Sequence, residues 1–179
     1  NSDGSVNEKE VARIAAHLVD DQKNDGLVVA GTTGESPTLT HEEKLRLLEI
    51  TLDTVGDRAA VVMGAGSYNT AESIEMTRAA ENRGAHGIML VNPYYNKPGQ
   101  AGLHAHFSTI AAETGLPVML YNIQPRSAIN LETDTLLRLA EIPNIIAVKE
   151  ASGDLNQISD VCVRKPEAFR VYSGDDGLC

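Results

Sequence analysis

Asn144-Ile-Ile-Ala-Val-Lys149-Glu-Ala-Ser-Gly-Asp154 is the stretch that decides how the chain is read. A short run of β-branched and small apolar residues reaches one lysine and then a Ser-Gly-Asp turn. That is the pattern of a buried strand with a cation at its exit. Plain alternation puts Ile145, Ala147 and Lys149 on one face, with Ile146 and Val148 on the other. An ammonium group held among apolar neighbours loses hydration, which pulls its pKa below the solvent value of about 10.4. The neutral amine is a nucleophile for carbonyl carbon, the opening step of Schiff-base chemistry. A strand-end lysine that snorkels to solvent gives the same local pattern.

Outward from this strand, five more apolar runs read as short buried strands: 27–30, 59–63, 86–91, 116–121 and 169–172. Between them lie helical periodicities over about 6–21, 40–55, 69–84, 100–114, 131–141 and 155–163. Val11, Ile14, Ala15 and Leu18 form one apolar stripe, and Leu103, Phe107, Ile110 and Ala111 another. Asn7 with Glu10 and Thr40 with Glu43 have capping-box spacing. A strand–helix repeat of about 30 residues is the size of a βαβ unit. Non-alternating strands between amphipathic helices mean a parallel sheet covered on both faces, either open and doubly wound or closed as a barrel. No Gly-x-Gly-x-x-Gly follows the first strand. Distinctive polar residues instead follow nearly every strand: Thr32 and Thr33, Tyr94 and Tyr95, Tyr121 and Arg126, Lys149, and Asp175. Chemistry spread around the C-terminal ends of many strands favours the (β/α)8 TIM barrel. A closed barrel of this type needs eight strands, so residues 1–179 are expected to be a single partial barrel lacking its first and last strands and its C-terminal helices. The start at Asn1-Ser2-Asp3-Gly4, without a methionine, fits that reading. Such a chain alone would expose two sheet edges and is expected to be unstable or inactive.

Composition narrows the class. Apolar residues make up 42% and charged residues 22% of 179, ordinary values for a globular protein. A net charge of −10 without a basic cluster argues against nucleic acid as a partner. Two cysteines, Cys162 and Cys179, cannot make a disulfide framework, and a reducing, cytoplasmic setting is expected. There is no apolar run of membrane-spanning length and no signal-peptide pattern, so no membrane partner is expected. Cys162 is expected to be buried and inert in an amphipathic helix. The five histidines lack zinc spacing, and Asp175-Asp176 reads as a turn with helix capping rather than a metal site.

Gly31-Thr32-Thr33-Gly34-Glu35 follows a strand and precedes a helix. Its amides and two hydroxyls can form a small anion cradle suited to a carboxylate, or simply a strand-to-helix turn. Tyr121 ends the strand before the lysine strand. At matching heights its phenol would lie beside the amine and could pass protons, or it could be a core tyrosine. Arg126 can grip a carboxylate bidentately or form a surface ion pair. Tyr94-Tyr95, between Pro93 and Pro98, suits a site or a subunit contact.

Gly-Thr-Thr-Gly-Glu-Ser at 31–36, Pro-Tyr-Tyr-Asn-Lys-Pro at 93–98, Tyr-Asn-Ile-x-Pro-Arg at 121–126, Val-Lys-Glu-Ala-Ser-Gly-Asp at 148–154 and Ser-Gly-Asp-Asp at 173–176 together resemble the dihydrodipicolinate synthase family. The motifs stand in that family's order and spacing across essentially the whole chain. The wider group includes N-acetylneuraminate lyase and other 2-keto-acid aldolases. The resemblance implies a Schiff-base (β/α)8 enzyme that condenses pyruvate with L-aspartate semialdehyde, a lyase of lysine and diaminopimelate biosynthesis. It needs no cofactor beyond the covalent imine between Lys149 and pyruvate. It further implies that Gly31, Thr32 and Thr33 hold the pyruvate carboxylate, and that Tyr121, Thr32 and Tyr95 relay protons. Tyr95 would come across a subunit interface of a homo-oligomer, a dimer or tetramer, and Arg126 would bind the semialdehyde carboxylate. A lysine-regulatory pocket would draw on Ser36, His41, Glu72 and Tyr94, with Lys44 and Tyr68 where a His and an Asn are common. Gln124 and Pro125 depart from the usual Tyr-Asn-x-Pro-x-Arg order but leave the arginine in register. A sugar-acid aldolase and a catalytically inactive barrel serving as a sensing or structural subunit are the alternatives.

Overall fold

The computed structural model describes residues 1–175 and 177; Asp176 and Cys179, both discussed above, lie outside the described residues. Six strands, β1 (Gly26–Val29), β2 (Ala60–Gly64), β3 (Gly87–Val91), β4 (Val118–Asn122), β5 (Ile145–Glu150) and β6 (Arg170–Ser173), form one sheet in chain order. Every neighbouring pair is parallel. Helices carry the chain back between them: α1 (Glu8–Ala16) before β1, then α2 (His41–Val55), α3 (Thr70–Glu81), α4 (Gln100–Ala111), the short α5 (Gln124–Ser127), α6 (Thr133–Leu139) and α7 (Leu155–Arg164). The sheet curls, because one trough is lined by Val28 of β1, Val62 of β2, Met119 of β4, Lys149 of β5 and Tyr172 of β6. This is the half-barrel of an α/β barrel, with β1 and β6 at its edges.

The core lies between the convex face of the sheet and the helices. Leu48, Met63, Ile88, Leu90, Phe107, Leu120 and Leu136 are all fully buried there. Local chemistry sets the helix starts. Thr40 and Glu43 make both halves of the expected capping box. Asn7 accepts from the Glu10 N–H at 3.3 Å, but the Glu10 carboxylate turns to Arg13 instead, so that box is half formed. Asn69 and Asp154 cap α3 and α7 with their side chains.

Three expectations from plain periodicity fail for identifiable reasons. The first helix ends in a π turn at His17–Asp21, which shifts the buried position to Val19. Ile14 meanwhile stands 45% exposed. Cys162 is exposed, not buried: Val161 is the buried residue of α7, and one step further round the helix lies outside. The lysine strand does not alternate evenly. Val118 pairs with Ile145 and Met119 with Ala147, so Ile146 is a bulge. Ile145 therefore packs into the helix-side core with Val148, while Ile146 joins Ala147 and Lys149 along the trough.

Candidate active site

Tyr121 and Lys149 are cross-strand partners at the C-terminal ends of β4 and β5. Both face the concave side, and the Lys149 Nζ sits over the Tyr121 ring, 4.5 Å from its centroid. Tyr121 is 3% exposed and hydrogen-bonds Thr32 from the loop after β1. Burial pushes its phenol above the usual value near 10, while the Thr32 bond and the Arg126 charge act in the opposite direction. One cavity of about 500 Å³ gathers Thr32, Thr33, Tyr121, Arg126, Lys149 and Asp175. Four strand ends thus contribute to one space: the loops after β1 and β4, and the ends of β5 and β6.

The local backbone explains this convergence. Ala30 leaves β1 at φ +52° and Glu35 repeats that value, two left-handed turns that fold the threonine loop over the strand ends. The Ser36 N–H closes the loop on the Gly31 carbonyl at 3.4 Å. Arg126 rides on α5, where Pro125 sits in the first turn and needs no N–H partner. The Gln124-Pro125 order therefore leaves the arginine at the cavity. Gly174, which sequence reasoning did not single out, fits closely. A Cβ there would lie 3.0 Å from the Lys149 Cε and 3.0 Å from the Ala151 Cβ. The repeated Ser-Gly at a strand exit was the available signal.

The other candidates lie elsewhere. Gly31, Ser36 and Tyr94 border an adjoining cavity that also touches Thr32, Tyr121 and Arg126. His41 and Glu72 border a third with Lys44, and the two cavities share Gly64 and Gly66. The four residues of the regulatory set are therefore divided between neighbouring spaces. Burial pulls the Lys44 ammonium down, partly offset by the Glu72 carboxylate. Burial, Tyr68 and Glu72 push the Tyr94 phenol up, and its ring meets Tyr68 edge-on with centroids 5.2 Å apart. Tyr95 is not gathered into the amine's cavity: it is 90% exposed at φ +72°. Among the described residues there is no group of three or more His, Cys, Asp or Glu placed to hold a metal ion, and no helix long and apolar enough to cross a membrane.

A parallel half-barrel with its polar cavity at the C-terminal mouth of the strands defines an α/β-barrel protein. More narrowly, the chain belongs to the dihydrodipicolinate synthetase family, whose model it matches over residues 1–179. It is 57% identical over 177 residues to the 4-hydroxy-tetrahydrodipicolinate synthase of Moorella thermoacetica, covering 99% of this chain and 60% of that protein. It is 52% identical over 178 residues to the Bacillus subtilis synthase, covering 98% and 60%. The crystal structure of a Bacillus anthracis dihydrodipicolinate synthase superposes with TM-score 0.94 at 44% identity, over 99% of this chain and 61% of that one. The Cyanidioschyzon merolae enzyme with lysine bound gives TM-score 0.95 at 44% identity, over 98% and 59%. The Acinetobacter baumannii enzyme complexed with pyruvate gives 0.94 at 39%, over 97% and 60%. The chain thus spans about 60% of the length of these relatives.

Proposed function

We propose that the protein of which this chain is part condenses pyruvate with L-aspartate semialdehyde through an imine on Lys149, as a lyase of lysine biosynthesis. The observation that carries this reading is the in-register Tyr121–Lys149 pair with Thr32 bonded to the phenol around one cavity. The Thr32-Thr33 loop offers amides and hydroxyls for the pyruvate carboxylate, which presents the ketone carbon to the amine. The amine adds to that carbon, and the carbinolamine loses water as Tyr121 and Thr32 pass protons. Loss of a methyl proton then gives the enamine, whose carbon attacks the aldehyde, and Arg126 holds the second carboxylate. The exposure of Tyr95 supports its donation to a partner subunit's site in a homo-oligomer. The setting is cytoplasmic.

Borohydride added with pyruvate to the full-length protein is expected to leave a reduced adduct on Lys149, absent in Lys149→Ala. No adduct on the wild-type protein would end the Schiff-base reading. Turnover with aspartate semialdehyde, against N-acetylmannosamine, separates the synthase from a sugar-acid aldolase. The Lys44 ammonium, which borders the same cavity as Glu72, would compete with an incoming lysine ammonium, so feedback by lysine is proposed to be weak and Lys44→Ala to tighten lysine binding in calorimetry.

A further inference from the structure

Directly behind the Tyr121–Lys149 pair, on the convex face, their chain neighbours Asn122 and Glu150 also face each other in register. Asn122 is fully buried and Glu150 is 2% exposed. The Asn122 Nδ2 donates to both Glu150 oxygens, at 3.3 and 3.2 Å, and the Ser152 N–H donates to Glu150 Oε1 at 2.7 Å. The remaining partners of Asn122 fix which way its amide points. Its Oδ1 accepts from the Leu131 N–H at 3.0 Å and from Asn92 Nδ2 at 2.8 Å. A backbone N–H cannot be reversed, so turning the amide over would set its NH2 against that donor. The Nδ2 is thereby held toward Glu150 and toward the Asn130 Oδ1 at 2.9 Å. Position 150 must meet donors on both sides and can do so only with acceptors.

We propose that Glu150 is a positioning residue for the Lys149–Tyr121 pair: an acceptor-only side chain that, through Asn122, locks β5 to β4 at the height where amine and phenol meet. This rests on the Schiff-base reading above. Glutamine has the same shape, yet its NH2 faces a donor whichever way it is turned, either the Ser152 N–H or the Asn122 Nδ2. Aspartate is shorter but keeps both acceptors. A space-filling role ranks Gln above Asp at this position, whereas the acceptor requirement ranks Asp above Gln. Displacing a reacting group by about 1 Å lowers rates on the order of a hundredfold, so the effect falls on the imine-forming rate. Pyruvate binding, made by the Thr32-Thr33 loop, is spared.

The test uses the full-length protein and follows quenched-flow borohydride trapping of pyruvate. Glu150→Gln is expected to slow imine formation at saturating pyruvate about 10- to 100-fold, with KM for pyruvate within about twofold. Glu150→Asp is expected to lose less than about tenfold. If Glu150→Gln does not accumulate as folded protein, Glu150→Asp against Glu150→Asn reads the same order one methylene shorter. Trapping by the amide variants at the carboxylate variants' rate overturns the proposal, as does a fall confined to KM. A wild-type protein that traps no pyruvate overturns the Schiff-base reading and this proposal with it; normal wild-type trapping matched by Glu150→Gln overturns this proposal alone.

Discussion

Two buried polar neighbourhoods in this molecule are built on opposite terms. At the strand ends, Asn92, Asn122 and Glu150 cross-link β3, β4 and β5, with Gln157 of α7 tied in through Asn130 at 2.6 Å. Only Asn92 Oδ1 lacks a partner there among the described residues. In the seam between α3 and α4, His106 meets Thr70 Oγ1 at 2.9 Å, but His106 Nε2 and Thr77 Oγ1 are buried without partners among the described residues. The first neighbourhood spends its donors and acceptors on holding three strands at one height. The second lies between two helices, where His106 and Thr70 make one side-chain hydrogen bond across the seam. A dense network of side-chain hydrogen bonds across strand ends marks where their relative height is held.

The sharpest way to break this contrast is Asn122→Leu. It takes the Asn122 donor from the buried Glu150 carboxylate, leaving it the Ser152 N–H, and removes the acceptor of the buried Leu131 N–H; a loss of about 3–5 kcal/mol is expected, read by chemical denaturation of the full-length protein. A loss below about 1 kcal/mol would erase the distinction between the two regions. Acid is the next test. Burial lowers the His106 pKa from 6.5 to about 4, so the unfolded chain takes up this proton first as pH falls. The associated stability is complete above pH 6.5, declines as pH drops toward 4 and is gone below that. The difference is up to about 3 kcal/mol. In His106→Leu this part of the pH dependence should flatten, and an unchanged slope would refute the assignment. At pH 7 the same substitution removes one hydrogen bond and one orphaned nitrogen, and a change within about 1 kcal/mol is expected. The smallest effect belongs to the surface. Arg46→Met breaks exposed pairs with Glu8 and Glu49, and should leave the denaturation midpoint almost unchanged, with any shift shrinking further in high salt.

Strand order, the strand–helix alternation and the convergence of Thr32, Thr33, Tyr121, Arg126 and Lys149 were legible in the sequence because each depends on short-range pattern and on topology. The ends of parallel strands collect on one side whatever the loops do. Features that add or drop one residue of phase were not legible. The π turn at His17–Asp21 and the bulge at Ile146 leave composition unchanged, and no propensity marks them. The Asn122–Glu150 pair was missed for another reason. A polar residue right after the site residue reads as part of the exit loop. The period of two, however, turns Asn122 and Glu150 toward the helix layer, where each needs partners. Cys162 was misplaced because the stripe of α7 is narrow.

The bulge has one more consequence. Losing a residue from a strand ordinarily turns everything beyond it inside out. In β5 the loss of residue 146 would instead restore an ordinary pleat, with Lys149 and Glu150 still on their present sides. That position is slack in the pairing of β5 with β4, and an engineer seeking a deletion in this strand would begin with Ile146.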